Sequence, residues 1–289
     1  MQATKKKPVN PFVRRRKNAA ILRFAIQVIF FLAAPSAFSS AFAGIKEICS
    51  TFSEGAVLEW TSFTSMLVLL LVFTMICGRF FCGYSCAFGA AGDWIHAVSA
   101  AIQKKLRKNK VYRFPDKMVR KLQWVKYVVL VVILILCVLG QQQTVNGNSP
   151  WTVFSFLSAG NAVPAGMAAG VVLLVLIVCG MAAQERFFCQ FLCPMGAVFS
   201  LLPVIPVIGQ LERNRENCIN GCSACSRTCP VHLELEPDSA RSGECIRCGK
   251  CANMCPKQNI SIGVRGWSGG EPILVIVQAA ALLLGIVLV

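Results

Sequence analysis

The sequence predicts an α-helical membrane protein: a four-helix core made of two parallel repeats, a small cysteine-rich α+β module, and a fifth apolar helix at the C-terminal end. Three observations carry this. Hydrophobic residues make up 55% of the 289 positions and charged ones only 15%. The apolar residues fall in blocks near the length of a membrane span. One motif also occurs twice, with an offset of 107 residues.

The apolar blocks cover residues 19–42, 63–76, 124–140, 166–183 and 272–289. A span takes about 20 largely apolar residues, within a range of roughly 17–25. The first, third and fourth blocks meet this. The second reaches it by running on through Phe80 and Phe81. The fifth runs to the last residue with no charged flank and is expected as a C-terminal transmembrane helix, a surface-lying tail or the stub of a longer protein being the alternatives. The basic start, the apolar run and Ala41-Phe42-Ala43 resemble a signal peptide with its cleavage site. Arg23 and Gln27 interrupt that run, so an uncleaved first helix is expected, with Gln27 in an interhelical hydrogen bond.

A net charge of +16 is of the sign that nucleic acid attracts, but its distribution argues against that partner. Residues 1–23 carry eight Lys/Arg, 44–62 carry one, 79–126 carry eleven, 141–165 carry none and 186–265 carry nine. This alternation follows the positive-inside rule and accounts for 28 of the 29 basic residues. It predicts a multi-pass protein of a cytoplasmic membrane, with the N-terminus, the 79–126 loop and the cysteine-rich region in the cytoplasm. Nucleic acid is not an expected partner. Trp60 and Trp151 fit interfacial belts.

Eight of the 16 cysteines lie in one short stretch. Cys218, Cys222, Cys225 and Cys229-Pro230 read C-x3-C-x2-C-x3-C-P; Cys245, Cys248, Cys251 and Cys255-Pro256 read C-x2-C-x2-C-x3-C-P. The second run is the bacterial ferredoxin pattern for a [4Fe–4S] cluster, whose fourth cysteine serves the other cluster. The expected sets are therefore Cys218, Cys222, Cys225 and Cys255 for one cluster, and Cys245, Cys248, Cys251 and Cys229 for the other. Structural zinc uses cysteine pairs a dozen or more residues apart rather than triplets. Disulfides belong to oxidising compartments, which the topology argues against. No C-x-x-C-H occurs, so covalent haem is not indicated. The chemistry expected of the pair of clusters is one-electron transfer. Residues 231–235 and 259–264 alternate in polarity and are expected as half-buried strands. The domain plan is then a membrane core over 1–205, a two-cluster module over 206–266 and a last helix over 271–289.

The duplicated motif adds a second thiol constellation. Arg79-Phe80-Phe81-Cys82-x3-Cys86-x2-Gly89-Ala90 recurs as Arg186-Phe187-Phe188-Cys189-x3-Cys193-x2-Gly196-Ala197. Each copy follows an outside-to-inside span, which makes the core two parallel repeats. Cysteines at i and i+4 share a face if the segment is helical. Two such pairs brought together make a four-thiolate site at Cys82, Cys86, Cys189 and Cys193. Soft thiolates select iron–sulfur clusters, Cu(I) or zinc; a dithiol redox pair or four packing residues are the alternatives. Arg79 and Arg186 either balance thiolate charge or anchor helix ends at the headgroups. His96 and His232, the only histidines, are read as structural or solvated. Cys49, Cys137 and Cys179 are read as packing residues.

These features together resemble the membrane polyferredoxins of the NapH/NosR/CcoG type. The resemblance covers nearly the whole chain and rests on the paired Phe-Cys-x3-Cys-x2-Gly-Ala motifs, the ferredoxin-like module and Leu22-Arg23-x3-Gln27. It implies two [4Fe–4S] clusters in a prokaryotic membrane. It also implies electron transfer between the quinone pool, or a flavin-bearing partner, and a redox enzyme such as an extracytoplasmic reductase. One branch instead supports copper handling during oxidase assembly, so copper handling by the membrane-face cysteines is the alternative function. The family motif usually ends Cys-Pro; Cys193-Pro194 keeps this, whereas Cys86 precedes Ala87.

Overall fold

The computed structural model describes residues 11–55, 57, 59–106, 111–205, 210–214, 216, 218–233, 243–263 and 271–289. The first apolar block forms two arms, α1 (Pro11–Ala33) and α2 (Ala37–Glu54), bent by 58°. This corrects the single first helix expected above. Pro35 is the physical cause, because it has no N–H to donate and its ring clashes with the turn before it. α2 packs along α3 (Ser62–Cys77), and Gly44 permits the contact, since a Cβ there would run into the Phe63 carbonyl.

A π-helical turn, Phe81–Ser85, leads into α4 (Ala87–Leu106). Then come α5 (Asp116–Leu122), α6 (Val125–Val138), α7 (Gln142–Gly147), α8 (Pro150–Ser158) and α9 (Ala168–Ala183). α4 and α8 both pack on α9, at the small residues Gly92 and Gly170. Two helical stretches, Asp116–Val138 and Ala165–Ala183, are long and apolar enough to cross a membrane, and the bent α1–α2 pair makes a third. Ser62–Cys77 and Pro272–Leu288 are shorter apolar helices. The chain is inverted relative to a water-soluble protein. Val128, Val131, Val172 and Leu176 point outward, while Arg79, Arg186 and Lys126 are among the most deeply buried side chains. Apolar groups outside and paired charges inside are what a hydrocarbon solvent selects.

After α10 (Phe187–Phe191) and α11 (Pro194–Leu201) the cysteine-rich module begins. Its strands β1 (Gln210–Arg213) and β2 (Ile260–Gly263) pair antiparallel, with Leu211 opposite Ile262. Two short helices, α12 (Ala224–Thr228) and α13 (Lys250–Met254), each carry one cysteine of a triplet; α14 (Glu271–Leu288) closes the chain. The expected strand over 259–264 is thus present as Ile260–Gly263. The one expected over 231–235 is not: residues 231–233 are not extended into a strand, the turn at 230–231 leading into irregular chain, and 234–235 lie outside the described residues. His232 has φ +54° and points its ring into the membrane core, so the alternation there marks a docking loop. The partner of β2 is instead β1, ahead of the first cysteine. Among the described residues, the module's own buried core is Leu211, Cys225, Cys251, Ala252 and Ile260. Cys229, Val231 and Ile246 belong to the core shared with the helices.

Candidate metal centres

The module cysteines line two small cavities. Cys218, Cys222, Cys225 and Cys255 line one; Cys229, Cys245, Cys248 and Cys251 line the other. The crossover of Cys229 and Cys255 places each Cys-Pro cysteine against the other triplet. Among the described residues, no three His, Cys, Asp or Glu side chains stand at the spacing of ligands around a single metal ion. A zinc ion holds thiolates at about 2.3 Å, so its ligands nearly touch, whereas the corners of an iron–sulfur cube hold them farther apart. Burial, with the nearby Cys248 thiolate, pushes the Cys229 thiol up to about 12. Burial raises Cys245 and Cys251 as well. Such a set cannot ionise together without cationic charge among the sulfurs. Asn259 N–H donates to Cys255 Sγ at 3.3 Å, and the N–H groups of Val231 and Leu233 face Cys229. Hydrogen bonds to cluster sulfurs are one of the levers on cluster potential. The donor set fits a [4Fe–4S] group in both cavities.

The two membrane motifs share one backbone geometry, although it is not the plain helix that the i, i+4 argument assumed. Cys86 N–H bonds the Phe81 carbonyl at 2.8 Å, and Cys193 N–H bonds the Phe188 carbonyl at 2.9 Å, each five residues back. Widened turns of this kind are frequent at functional sites. Ala90 and Ala197 then bond the carbonyls of Cys86 and Cys193, starting α4 and α11. Pro194 sits in the first turn of α11, where its missing N–H costs nothing. Ala87 takes the same place in α4, so losing the Cys-Pro pair leaves this backbone unchanged. All four cysteines are buried. Cys193 lies in electrostatic range of Cys189, Cys82 and Cys86, and Cys86 of Cys189 and Cys82.

Two arginines cross over this site. Arg186 lies on Gly89 of the first motif, and Arg79 on Gly196 of the second; a Cβ at Gly89 would collide with the Arg186 guanidinium. Each guanidinium is in range of its own motif's first cysteine and the other motif's second: Arg79 of Cys82 and Cys193, Arg186 of Cys189 and Cys86. Arg186 Nη1 also donates to the Cys82 carbonyl, and Nη2 to the Gly83 carbonyl at 3.1 Å. Both arginines are at most 2% exposed, which overturns the headgroup-anchor reading. Their carboxylate partners differ. Asp93 receives Arg186 Nε at 2.7 Å and Nη2 at 2.6 Å, with Arg23 Nη2 at 2.6 Å and Gln27 Nε2 at 2.7 Å. Gln27 therefore makes the interhelical bond expected of it. The matching residue in the second repeat is Ser200, and the partner of Arg79 is Glu244, at 3.3 Å.

Glu244 precedes Cys245, so this pair docks the module. The same carboxylate accepts from Lys126 and, at 2.8 Å, from Tyr127 Oη. The second module cavity is thereby set against the membrane motifs. The Ile246 carbonyl leaves no room for a side chain at Gly83; Tyr84 Oη donates to the Cys248 carbonyl at 3.3 Å; Gln190 donates to the Pro230 carbonyl at 2.5 Å. The first cavity is farther out, with Cys222 exposed. His232 is structural, hydrogen-bonded to Gln184 at 2.7 Å and Asp116 at 2.6 Å. Trp151 corrects the belt assignment: it is buried against Phe42 and Phe188, while Trp60 is exposed. Cys49 and Cys137 lie within electrostatic range of each other. Asp93 and Glu244 were missed from the sequence; an acid seven residues past Cys86 in an otherwise small and apolar run was the available signal.

Residues 58–109 and 166–205 match the family model of a 4Fe-4S binding domain. The match falls on the two membrane motifs, not on the module's eight cysteines. A helical, apolar chain with this match and ferredoxin-spaced cysteines is a 4Fe–4S-binding membrane protein of the ferredoxin type. An uncharacterized protein of Methanocaldococcus jannaschii, MJ0749, is 27% identical over 83% of this chain and 86% of its own length. The ferredoxin-type protein NapH of Escherichia coli is 24% identical over 76% and 74%. The regulatory protein NosR of Pseudomonas aeruginosa is 27% identical over 67% of this chain but 27% of its own length. The chain thus resembles the ferredoxin-type membrane proteins over most of its length. No solved structure matches it.

Proposed function

We propose that this chain is a membrane electron-transfer subunit. Two [4Fe–4S] clusters, at Cys218/Cys222/Cys225/Cys255 and Cys229/Cys245/Cys248/Cys251, supply its one-electron chemistry. The observation that carries the reading is the packing of the Cys245–Cys248 loop directly on the membrane motif, through Gly83 and Tyr84. The order from solvent inward is then the outer set, the docked set and the four membrane-face thiols. Cys82, Cys86, Cys189 and Cys193 would hold a third cluster, a reading favoured by where the 4Fe-4S family match falls. The chain's own part in the transfer is to hold these sulfurs at fixed separation and screen them from water. Arg79 and Arg186 supply fixed positive charge beside the buried thiolates.

In this reading the chain spans a cytoplasmic membrane several times, with the N-terminus and the module in the cytoplasm. The core, module and last helix are residues 1–205, 206–266 and 271–289. Electrons pass to or from the quinone pool or a redox partner subunit. Anaerobic purification with an iron count tests the cofactor content: about twelve irons are expected, about eight would confine clusters to the module, and fewer would overturn the reading. Copper bound at about one equivalent, and lost in a Cys82→Ser/Cys189→Ser double variant, would establish the copper-handling alternative.

A further inference from the structure

Two cysteines outside both thiol constellations come together where α2 packs on α6. Phe42, Lys46, Cys49 and Ser53 of α2 follow one another at steps of three and four and so share one stripe of the helix. That stripe is the one turned to the end of α6. Ser53 Oγ donates to the Val138 carbonyl at 2.7 Å, and Lys46 Nζ donates to Asn146 Oδ1 on α7, just past α6. Cys49 lies between Lys46 and Ser53 on the stripe, and both it and Lys46 are in electrostatic range of Cys137. Cys137 is 1% exposed, whereas Cys49 is half-buried. α6 itself fixes which end this is. Lys126 on α6 pairs with Glu244 of the docked module. Cys137 lies 11 residues further on, about 16 Å along a helix axis. A packing role asks for bulk alone. It calls for neither a second sulfur nor an ammonium beside the pair.

We infer that Cys49 and Cys137 are a disulfide-forming pair that clasps the bent arm α2 to the end of α6. The inference rests on the orientation proposed above, which puts these helix ends outside the cytoplasm, where disulfides persist. The reacting partner is itself a disulfide, carried by a small thiol compound or a thiol–disulfide oxidoreductase of that compartment. The half-buried Cys49, as thiolate, attacks one sulfur of that disulfide and expels the other as a thiolate, leaving a mixed disulfide. The Cys137 thiolate, with the Lys46 ammonium near it, then displaces the second sulfur and closes the Cys49–Cys137 bond; a neighbouring cation favours the thiolate form. The two thiol protons pass to the two leaving thiolates, and the partner disulfide carries away the two electrons as two thiols. The buried cysteine is thus the resolving one, reached only from within the protein.

The test treats the full chain, with clusters, in a neutral detergent with glutathione disulfide under anaerobic conditions. Remaining thiols are then alkylated with N-ethylmaleimide, and the peptides are read by mass spectrometry without reduction. One cross-linked pair joining Cys49 to Cys137 is expected, lighter than the two separate peptides by the two hydrogens lost, with the iron count unchanged. Cys137→Ser should accumulate a Cys49–glutathione adduct instead. The closed wild type should melt on the order of 10 °C above the reduced protein, and Cys49→Ser should show no such shift. Alkylation of both cysteines after oxidation would overturn the inference, as would a glutathione adduct that persists on Cys49 in the wild type or an unchanged melting midpoint. Sealed membrane vesicles of known sidedness separate this from the orientation. Glutathione disulfide, which does not cross the bilayer, should close the pair only from the face opposite the module. If the pair closes in detergent but in vesicles only from the module's face, the site stands and the proposed orientation fails.

Discussion

Replacing Asp93 with Asn keeps the shape of the side chain and removes its charge. The carboxylate takes four hydrogen bonds, two from Arg186, one from Arg23 and one from Gln27. The Arg23 and Arg186 side chains are only 8% and 1% exposed, so neither is free to find water instead. Breaking a buried pair by deleting one partner costs about 3–5 kcal/mol, because a charge is left uncompensated. For a chain of this size each kcal/mol moves the melting midpoint by about 2–4 °C, so a fall on the order of 10 °C is expected. Gln27→Leu is the comparison. It removes one neutral donor but leaves both guanidinium pairs, at about 1 kcal/mol. The assay is thermal unfolding of the cluster-bearing protein in one detergent, followed by circular dichroism and by cluster absorbance. If Asp93→Asn melts as high as Gln27→Leu, the carboxylate is not what holds the two arginines, and the charge argument for this site fails.

Cys248→Ser should cost about four irons and loosen the module, since its cluster set is the one docked on the core. Cys222→Ser should cost the same iron but lower the melting midpoint less, because, among the described residues, no residue of the membrane motifs lines the outer set's cavity. Gly89→Ala places a methyl against the Arg186 guanidinium and should destabilise by about 1–3 kcal/mol, the usual range for overpacking. Gly147→Ala, with open space around it, should melt as wild type. Glu244→Gln leaves Arg79 and the fully buried Lys126 without their carboxylate; faster limited proteolysis between the core and the module is expected, with equal rates counting against the docking role.

Much of this organisation was readable because its signals are local. Cysteine spacing reports which sulfurs fit around one cube, and the structure brings the two expected sets of four to one cavity each. The 107-residue repeat likewise appears as matched backbone bonds at Phe81–Cys86 and Phe188–Cys193. What was unreadable depends on contacts distant in sequence. Nothing near Arg79 shows that its carboxylate comes from Glu244, 165 residues away. The alternation at Val231 to Leu233 is real, but it serves the bonds of the His232 ring to Gln184 and Asp116, and a polarity pattern cannot distinguish that from a strand. Pro35 was in plain view; residue 19 to residue 42 reads as one apolar run only if its backbone effect is ignored.

The departures from symmetry explain why the module sits where it does. Two copies of one motif bring two arginines to the same buried thiol site, and each arginine needs a negative partner in a low-dielectric setting. The first repeat supplies Asp93 for Arg186 from within the membrane core. At the matching position the second repeat has Ser200, which bonds Tyr127 and provides no charge. Arg79 is completed only when Glu244 arrives with the module, one residue ahead of Cys245. Docking of the module and charge balance at the four thiols are therefore one event. The thiol site should lose stability when the module is released, even though none of its four cysteines belongs to that module. An Arg79→Met/Glu244→Leu double variant, with Lys126→Met added to leave no stranded charge, should then melt higher than Glu244→Leu alone. Equal midpoints would separate the two halves of the molecule and remove the coupling.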